Sequence, residues 1–222
     1  KCLFGLEKVA FVGYQIDATG VHFTPERMQK AVDFPKPITL GDVKSFRGFA
    51  NQFREHIEKY ADLAHSFNGL TQGYTKKRRT EKVQWTDVLE DDYIKLKAAI
   101  AGCPKLYYAS DGGMLHLYTD ASNIGVGAYL AQIQHLTEQV PIRFLSKTFS
   151  GQQQRWSARE REAFAIVVTL EKFDFLLRDV HFILHTDHEN LLYIKDGGST
   201  KVLRWKMNVQ EYDFDRTHRR DS

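Results

Sequence analysis

Cysteine is scarce in this sequence. Cys2 and Cys103 are the only two among 222 residues, too few to staple a fold, and no C-x-x-C or paired Cys/His spacing marks a zinc site. Such usage fits a reducing intracellular setting, cytoplasm or nucleus. Long apolar runs are lacking as well. None approaches the roughly 20 residues that span a bilayer, and the start shows no charged, apolar, small-residue succession of a secretion signal, so membrane insertion is not expected. Neither sign of charge dominates: 31 Lys and Arg against 28 Asp and Glu leave a net charge of +3, with a pI near 8.7. That lean is compatible with a polyanionic partner and is also common in proteins with none. What is present is ordinary globular material, 42% hydrophobic and 27% charged, enough for a real core and against disorder. The length allows one domain or two.

Residues 1–24 read as strands and turns. The β-branched and aromatic run Val9-Ala10-Phe11-Val12-Gly13-Tyr14-Gln15-Ile16 is followed by turn chemistry at Asp17-Ala18-Thr19-Gly20 and by Val21-His22-Phe23, a hairpin pattern. Thr24-Pro25 opens a short helix that Pro35 and Pro37 end. Thr39 with Asp42 makes a capping-box entry to a second helix, striped by Val43, Phe46, Ala50, Phe53 and Ile57. A third helix is expected through Leu63, Ala64, Phe67 and Leu70, and Thr86 caps a fourth with Leu89, Tyr93, Leu96 and Ile100 on one face. This makes a small helical unit over 25–104. Between two of its helices lie Lys76, Lys77, Arg78 and Arg79, which read either as a solvated loop or as a phosphate contact, since each neutralised phosphate releases counterions. Residues 105–113, ending in Ser110-Asp111-Gly112-Gly113, read as a linker.

From Met114 the texture changes. Strands are expected at 115–119, 125–132 and 142–145; Ser157-x-x-Glu160 then opens a long apolar helix running through Leu170 to Leu177. A fourth strand at 181–186, short helical stretches from Glu189 and over 200–209, and a last strand near 212–216 complete an α/β (α+β) layer fold on a mixed five-stranded sheet. Asp120 ends the first of these strands and Asp187 the fourth, so the two face the same side if the strands pair in parallel. Glu162, early in the long helix, can reach the same place. Carboxylates crowded in this way repel one another unless cations neutralise them, and magnesium suits an all-oxygen site.

Three stretches carry a resemblance: Leu117-Tyr118-Thr119-Asp120-Ala121-Ser122, Arg159-Glu160-Arg161-Glu162-Ala163-Phe164-Ala165-Ile166, and Ile183-Leu184-His185-Thr186-Asp187-His188. In this order they resemble the ribonuclease H domain of gypsy-type LTR retrotransposon polyproteins. Lys1-Cys2-Leu3-Phe4 with Val9-Ala10-Phe11-Val12-Gly13-Tyr14 is similar to the family's palm-end segment, which helps hold the primer end, and Val43 to Arg54 is similar to its thumb helix, with Arg47 where an apolar residue is usual. The resemblance implies a palm-end hairpin (1–24), a thumb-like helical domain (25–104), a linker (105–113) and a ribonuclease H-like domain (114–222). It further implies Asp120, Glu162 and Asp187 as catalytic ligands of two Mg2+ or Mn2+ ions cutting the RNA strand of an RNA–DNA hybrid. Glu162 is preferred to Glu160 because the family's acid directly precedes a short apolar pair and Ala-Ile. Ser122, Asn123 and Gly125 follow Asp120 as in the family's D-A-S-x-x-G, and Gln132 is expected to contact the substrate backbone. Trp205 reads as core, and His188 as the family's usual residue rather than a ligand.

The pattern also departs from the family. The family's last helix, with its fourth carboxylate, has no counterpart, since Asp221 falls too early; weak or lost activity is therefore an expectation. The polymerase's Y-x-D-D turn is also absent, and Asp91-Asp92-Tyr93 lies in an expected helix, so DNA synthesis by this chain alone is not expected. Two readings stay open. One is a hybrid-cleaving ribonuclease acting within the remainder of a reverse transcriptase polyprotein; the other is a non-catalytic binding or structural subunit of a larger protein assembly.

Overall fold

The computed structural model describes residues 5–134, 138–186, 194–195 and 199–217. The chain divides into two compact units, 1–108 and 109–222.

The first unit begins with three antiparallel strands, β1 (Lys8–Phe11), β2 (Tyr14–Asp17) and β3 (Gly20–Phe23). The expected hairpin is thus a meander. Its first turn, Val12-Gly13, has positive φ at both residues, 50° and 80°, the geometry whose twist matches two-residue hairpins. A Cβ at Gly13 would also meet the Arg27 side chain, which would have to shift to admit one. Arg27 Nη1 donates to the Val12 carbonyl (2.5 Å), and Nη2 reaches Gln52. At the second turn Asp17 Oδ1 accepts from Thr19 N and Gly20 N, and Lys105 Nζ closes an ion pair on the same carboxylate at 2.6 Å. The expected linker contributes a strand to this sheet: β4 (Leu106–Tyr107) pairs with β3. Two residues carry no readable period, which is why sequence alone shows a joint there.

The helices of this unit are α1 (Pro25–Val32), α2 (Leu40–Ala50), α3 (Tyr60–Leu63), α4 (His65–Leu70) and α5 (Asp87–Ala101). Thr39 and Asp42 form a full capping box on α2, and Thr86 caps α5. The apolar stripe of α2 continues past Ala50, but as a 3₁₀ segment, Asn51–His56, which rotates Phe53 into the core. That core is built from rings. Phe23, Phe46, Phe53 and Phe67 are fully buried, and a run of ring contacts at 4.3–5.4 Å links Phe23, Phe53, Phe49, Phe34, Phe46 and Tyr93. Each such ring contributes about 1.5–3 kcal/mol through burial alone.

The second unit is a five-stranded sheet in the order β7-β6-β5-β8-β9. The strands are β5 (Met114–Ala121), β6 (Gly125–Gln134), β7 (Glu138–Thr148), β8 (Phe182–His185) and β9 (Phe214–Thr217). β5, β6 and β7 pair antiparallel, whereas β8 runs parallel to both β5 and β9. The crossover between β5 and β8 includes α6 (Ala158–Lys172), opened by a Ser157/Glu160 capping box. Ala163, Ala165, Ile166, Val167, Val168, Thr169 and Leu170 of α6 are buried, as the near-continuous apolar run requires.

The long helix stops earlier than its apolar pattern suggests. Phe173 leaves helical geometry (φ −102°, ψ 15°) and a separate turn, α7 (Asp174–Leu177), follows. Arg178 Nε holds the Asp174 carboxylate at 2.9 and 3.1 Å, a local bond that favours the restart. The last helix is α8 (Thr200–Gln210), which buries Val202, Trp205 and Val209; Trp205 is a core residue. The helical stretch expected from Glu189 lies largely outside the described residues.

Candidate active site

Asp120 is the penultimate residue of β5 and stands opposite Gly127 of β6, so no side chain crowds the carboxylate from that neighbour. Immediately after β5 the chain turns back. Ser122 N donates to Gly125 O (2.9 Å), and Ser122 Oγ accepts from Ile124 N and Gly125 N at 3.0 and 3.1 Å. The Ser122 hydroxyl therefore shapes the turn, while Asn123 is exposed at its tip. Gly125 is demanded by close approach, since a Cβ there would strike the Lys147 carbonyl.

Glu162 comes to this place from α6. Its Oε1 accepts a hydrogen bond from Ala121 N at 3.2 Å, which sets the carboxylate one residue from Asp120 along the strand. Glu160, two residues earlier, is committed elsewhere. Its Oε2 accepts from Ser157 N (3.0 Å) and its Oε1 takes an ion pair from Lys201 Nζ (2.5 Å); Lys201 first, then the Ser157 amide, hold this carboxyl below its ordinary range. Only one acid of the Glu160/Glu162 pair thus reaches the strand end. Asp187 and His188 lie outside the described residues. What is described is that β8 runs parallel to β5, with His185 opposite Tyr118, so the chain leaves β8 at the end of the sheet where Asp120 sits. Among the described residues no three His, Cys, Asp or Glu are placed to hold a metal ion. Asp120 and Glu162 are hard oxygen donors of the kind Mg2+ and Mn2+ accept.

Gln132 requires a correction. It is 2% exposed; its Oε1 accepts from Ser110 N (2.9 Å) and its Nε2 donates to the carbonyls of Ser110 (2.7 Å) and Gly113 (2.8 Å). Both ends of the amide are spent inside the protein, tying 110–113 to β6, and a contact with a substrate backbone is not what this side chain offers.

In the first unit the four adjacent cations separate. Arg78 is neutralised by Glu81, Nε to Oε2 at 2.7 Å and Nη2 to Oε1 at 3.0 Å, and Lys77 is exposed. Lys76 and Arg79 instead line an open cavity of about 550 Å³ with Gly41, Lys44, Ser45 and Tyr74. Lys44 Nζ lies 4.5 Å from the Tyr74 ring centre. Lys44, Ser45 and Tyr74 were not singled out by sequence. They meet Lys76 and Arg79 only because the segment folds back onto α2, through Gly41 N to Arg79 O and Leu40 N to Glu81 O.

Residues 112–212 match the family model described as the RNase H-like domain found in reverse transcriptase, and the mixed sheet with its crossover helix is an RNase H-like fold. The chain is 31% identical over 217 residues to the retrovirus-related Pol polyprotein from transposon 297 of Drosophila melanogaster, covering 96% of this chain and 20% of that protein. It is 27% identical over 227 residues to the Tf2-3 polyprotein of Schizosaccharomyces pombe, covering 99% and 16%. The chain therefore spans about a sixth to a fifth of the length of the curated relatives it matches. Among solved structures, a foamy viral protease-reverse transcriptase in complex with dsDNA superposes with a TM-score of 0.74 over 98% of this chain and 46% of that one, at 16% identity. The same enzyme type in complex with an RNA/DNA hybrid gives 0.72 over 97% and 30%, also at 16% identity. The second unit holds an RNase H-like domain of the reverse-transcriptase kind. Over nearly its full length the chain is similar to retrotransposon Pol polyproteins.

Proposed function

We propose that the second unit is a metal-dependent endonuclease that cuts the RNA strand of an RNA–DNA hybrid, working as part of a retrotransposon reverse transcriptase. The observation that carries this reading is the Glu162 carboxylate on the Ala121 amide at 3.2 Å, beside Asp120 and at the end of β5 toward which parallel β8 leads. Asp120, Glu162 and Asp187 would hold Mg2+ or Mn2+, two ions in this reading. When bound, such ions activate a water and stabilise the leaving oxygen of an in-line phosphodiester cleavage. Asp120 and Glu162 supply the oxygens from two different elements, a strand and a helix, so neither needs the other's backbone to move. In this reading Asn123, exposed on the turn beside them, touches the hybrid's backbone, and Ser122 keeps that turn in shape.

The first unit is read in the same frame: the strands before residue 24 as a palm end and 25–104 as a thumb. Lys76, Lys77 and Arg79, with Lys44, meet backbone phosphates there, and Arg78 takes the smallest share because Glu81 already pairs it. The hybrid as ligand is supported by the foamy viral relative of this fold, whose structure contains one.

Cleavage of a labelled hybrid in Mg2+ or Mn2+, comparing the chain with its Asp120→Asn and Glu162→Gln variants, tests the reading. The expected result is cleavage of the RNA strand by the unaltered chain and a loss of about 100-fold or more in either variant. A folded chain that cleaves nothing overturns it and leaves a non-catalytic binding subunit in its place.

A further inference from the structure

The first turns of α6 are gripped from two sides. Glu160 and Glu162 lie two residues apart, about 200° around the helix, and each is anchored to a different neighbour. Glu162 faces β5 and takes the Ala121 amide (3.2 Å). Glu160 faces α8, where Lys201 Nζ sits 2.5 Å from its Oε1. The same ammonium lies 4.2 Å from the Trp156 ring centre and 5.2 Å from that of Trp205. The two indoles are 5.8 Å apart, and Phe164, one helical turn beyond Glu160, lies 5.3 Å from Trp156. Lys201 is thus held in an aromatic corner, with side-chain exposures of 35% for it and 24% for Glu160. That is enough shielding for the ion pair and the cation–π contact to exceed the worth of a surface pair. A helix N-terminus is where fraying concentrates, because its first amides lack helical partners. Anchoring Glu160 to α8 restrains the turn from which Glu162 projects toward the strand.

We propose that Lys201, acting through Glu160 and braced by Trp156, is a positioning residue that keeps the Glu162 carboxylate at the end of β5. Its catalytic meaning rests on the nuclease reading above; its structural content does not.

The Ala121 amide reports the placement directly, since its proton is donated to Glu162. Amide exchange on the full chain by NMR is the measurement, with Lys201→Met, Lys201→Arg and Glu160→Gln. The Gln variant keeps an oxygen for the Ser157 cap while losing the ion pair, and carries the test if Lys201→Met does not fold. Glu162→Ala calibrates a fully released amide. The expected result is exchange at Ala121 faster by about tenfold in Lys201→Met and Glu160→Gln, wild-type behaviour in Lys201→Arg, and no change at Leu130 or Val168. Unchanged exchange at Ala121, or acceleration spread equally over Leu130 and Val168, overturns the proposal. Hybrid cleavage run in parallel keeps the two claims apart. A wild-type chain without cleavage removes the nuclease reading and leaves the amide result standing, whereas an active wild type with an unaffected Lys201→Met removes only the positioning role.

Discussion

The two units solve the problem of cohesion differently. In the first, helices distant in sequence meet through interlocking rings, from Phe23 through Phe53 and Phe46 to Tyr93. In the second, a hydrogen-bonded ladder does the joining, and aliphatic residues such as Leu117, Leu130, Ile166 and Leu184 fill the space beneath it. Their charges differ in the same way. The first unit gathers Lys44, Lys76 and Arg79 around an open cavity, and the second brings carboxylates to the end of a strand. On the proposed function, one arrangement would meet phosphate with cations directly and the other through a metal, so the difference teaches how a polyanion can be approached by opposite local charges when one of them recruits a counterion.

The comparison can be broken at its core first. Phe46→Ala removes a fully buried ring that touches Phe34, Phe67 and Tyr93 and is expected to cost about 3–5 kcal/mol, measured by urea unfolding; Leu130→Ala, in the ladder unit, is expected to cost less, about 2–4 kcal/mol. A larger loss at Leu130 would reverse the contrast. Gln132→Ala follows, at about 1–3 kcal/mol, because it removes the hydrogen bonds by which a buried amide ties Ser110 and Gly113 to β6. Third, Lys76→Ala with Arg79→Ala should flatten the salt dependence of hybrid binding by about 0.9 per cation removed, while Arg78→Ala changes it little; equal slopes would deny the cavity its role.

The smallest effect uses a device both units share. Thr39→Ala and Ser157→Ala each remove the hydroxyl half of a capping box and should cost about 1 kcal/mol, yet only Ser157→Ala should also reduce cleavage. These boxes carry a pH signature. The Thr39 amide holds the Asp42 carboxyl below its ordinary range, and Lys201 does the same for Glu160. Carboxyls depressed in the folded state contribute stability that is complete above the unfolded values near about 4 and is lost as pH falls through the folded ones. Helix content followed by circular dichroism should therefore drop below about pH 4, and more shallowly in Asp42→Asn and Glu160→Gln, which lack the titrating carboxyls.

Helix starts were the most legible features, because Thr39/Asp42, Thr86 and Ser157/Glu160 announce themselves within four residues. The strands around Asp120 were legible from their apolar runs, and the parallel return of β8 from the long helix between. What escaped reading depends on distant partners. Leu106–Tyr107 is a strand only because Gly20 and Val21 offer an edge. Gln132 looks like any strand amide until Ser110 folds against it, and Lys44 and Tyr74 become cavity walls only after the 73–81 segment returns to α2. The break at Phe173 was hidden by an apolar pattern that continues through it. Of the acids, sequence singled out Glu162 by family likeness; the physical ground, opposite faces of one helix turn, needed β5 and α8 in place.

Val12 carries a different kind of information. It is a β-branched residue with φ of 50°, 69% exposed, at the tip of the first turn. Neither its conformation nor its surroundings favour it, and the left-handed backbone alone costs about 1–2 kcal/mol relative to a residue suited to the site. Asparagine or glycine would make the same turn at less cost. Replacing Val12 by asparagine or glycine should therefore steady the turn whose carbonyl Arg27 clamps, without disturbing anything the valine side chain packs against.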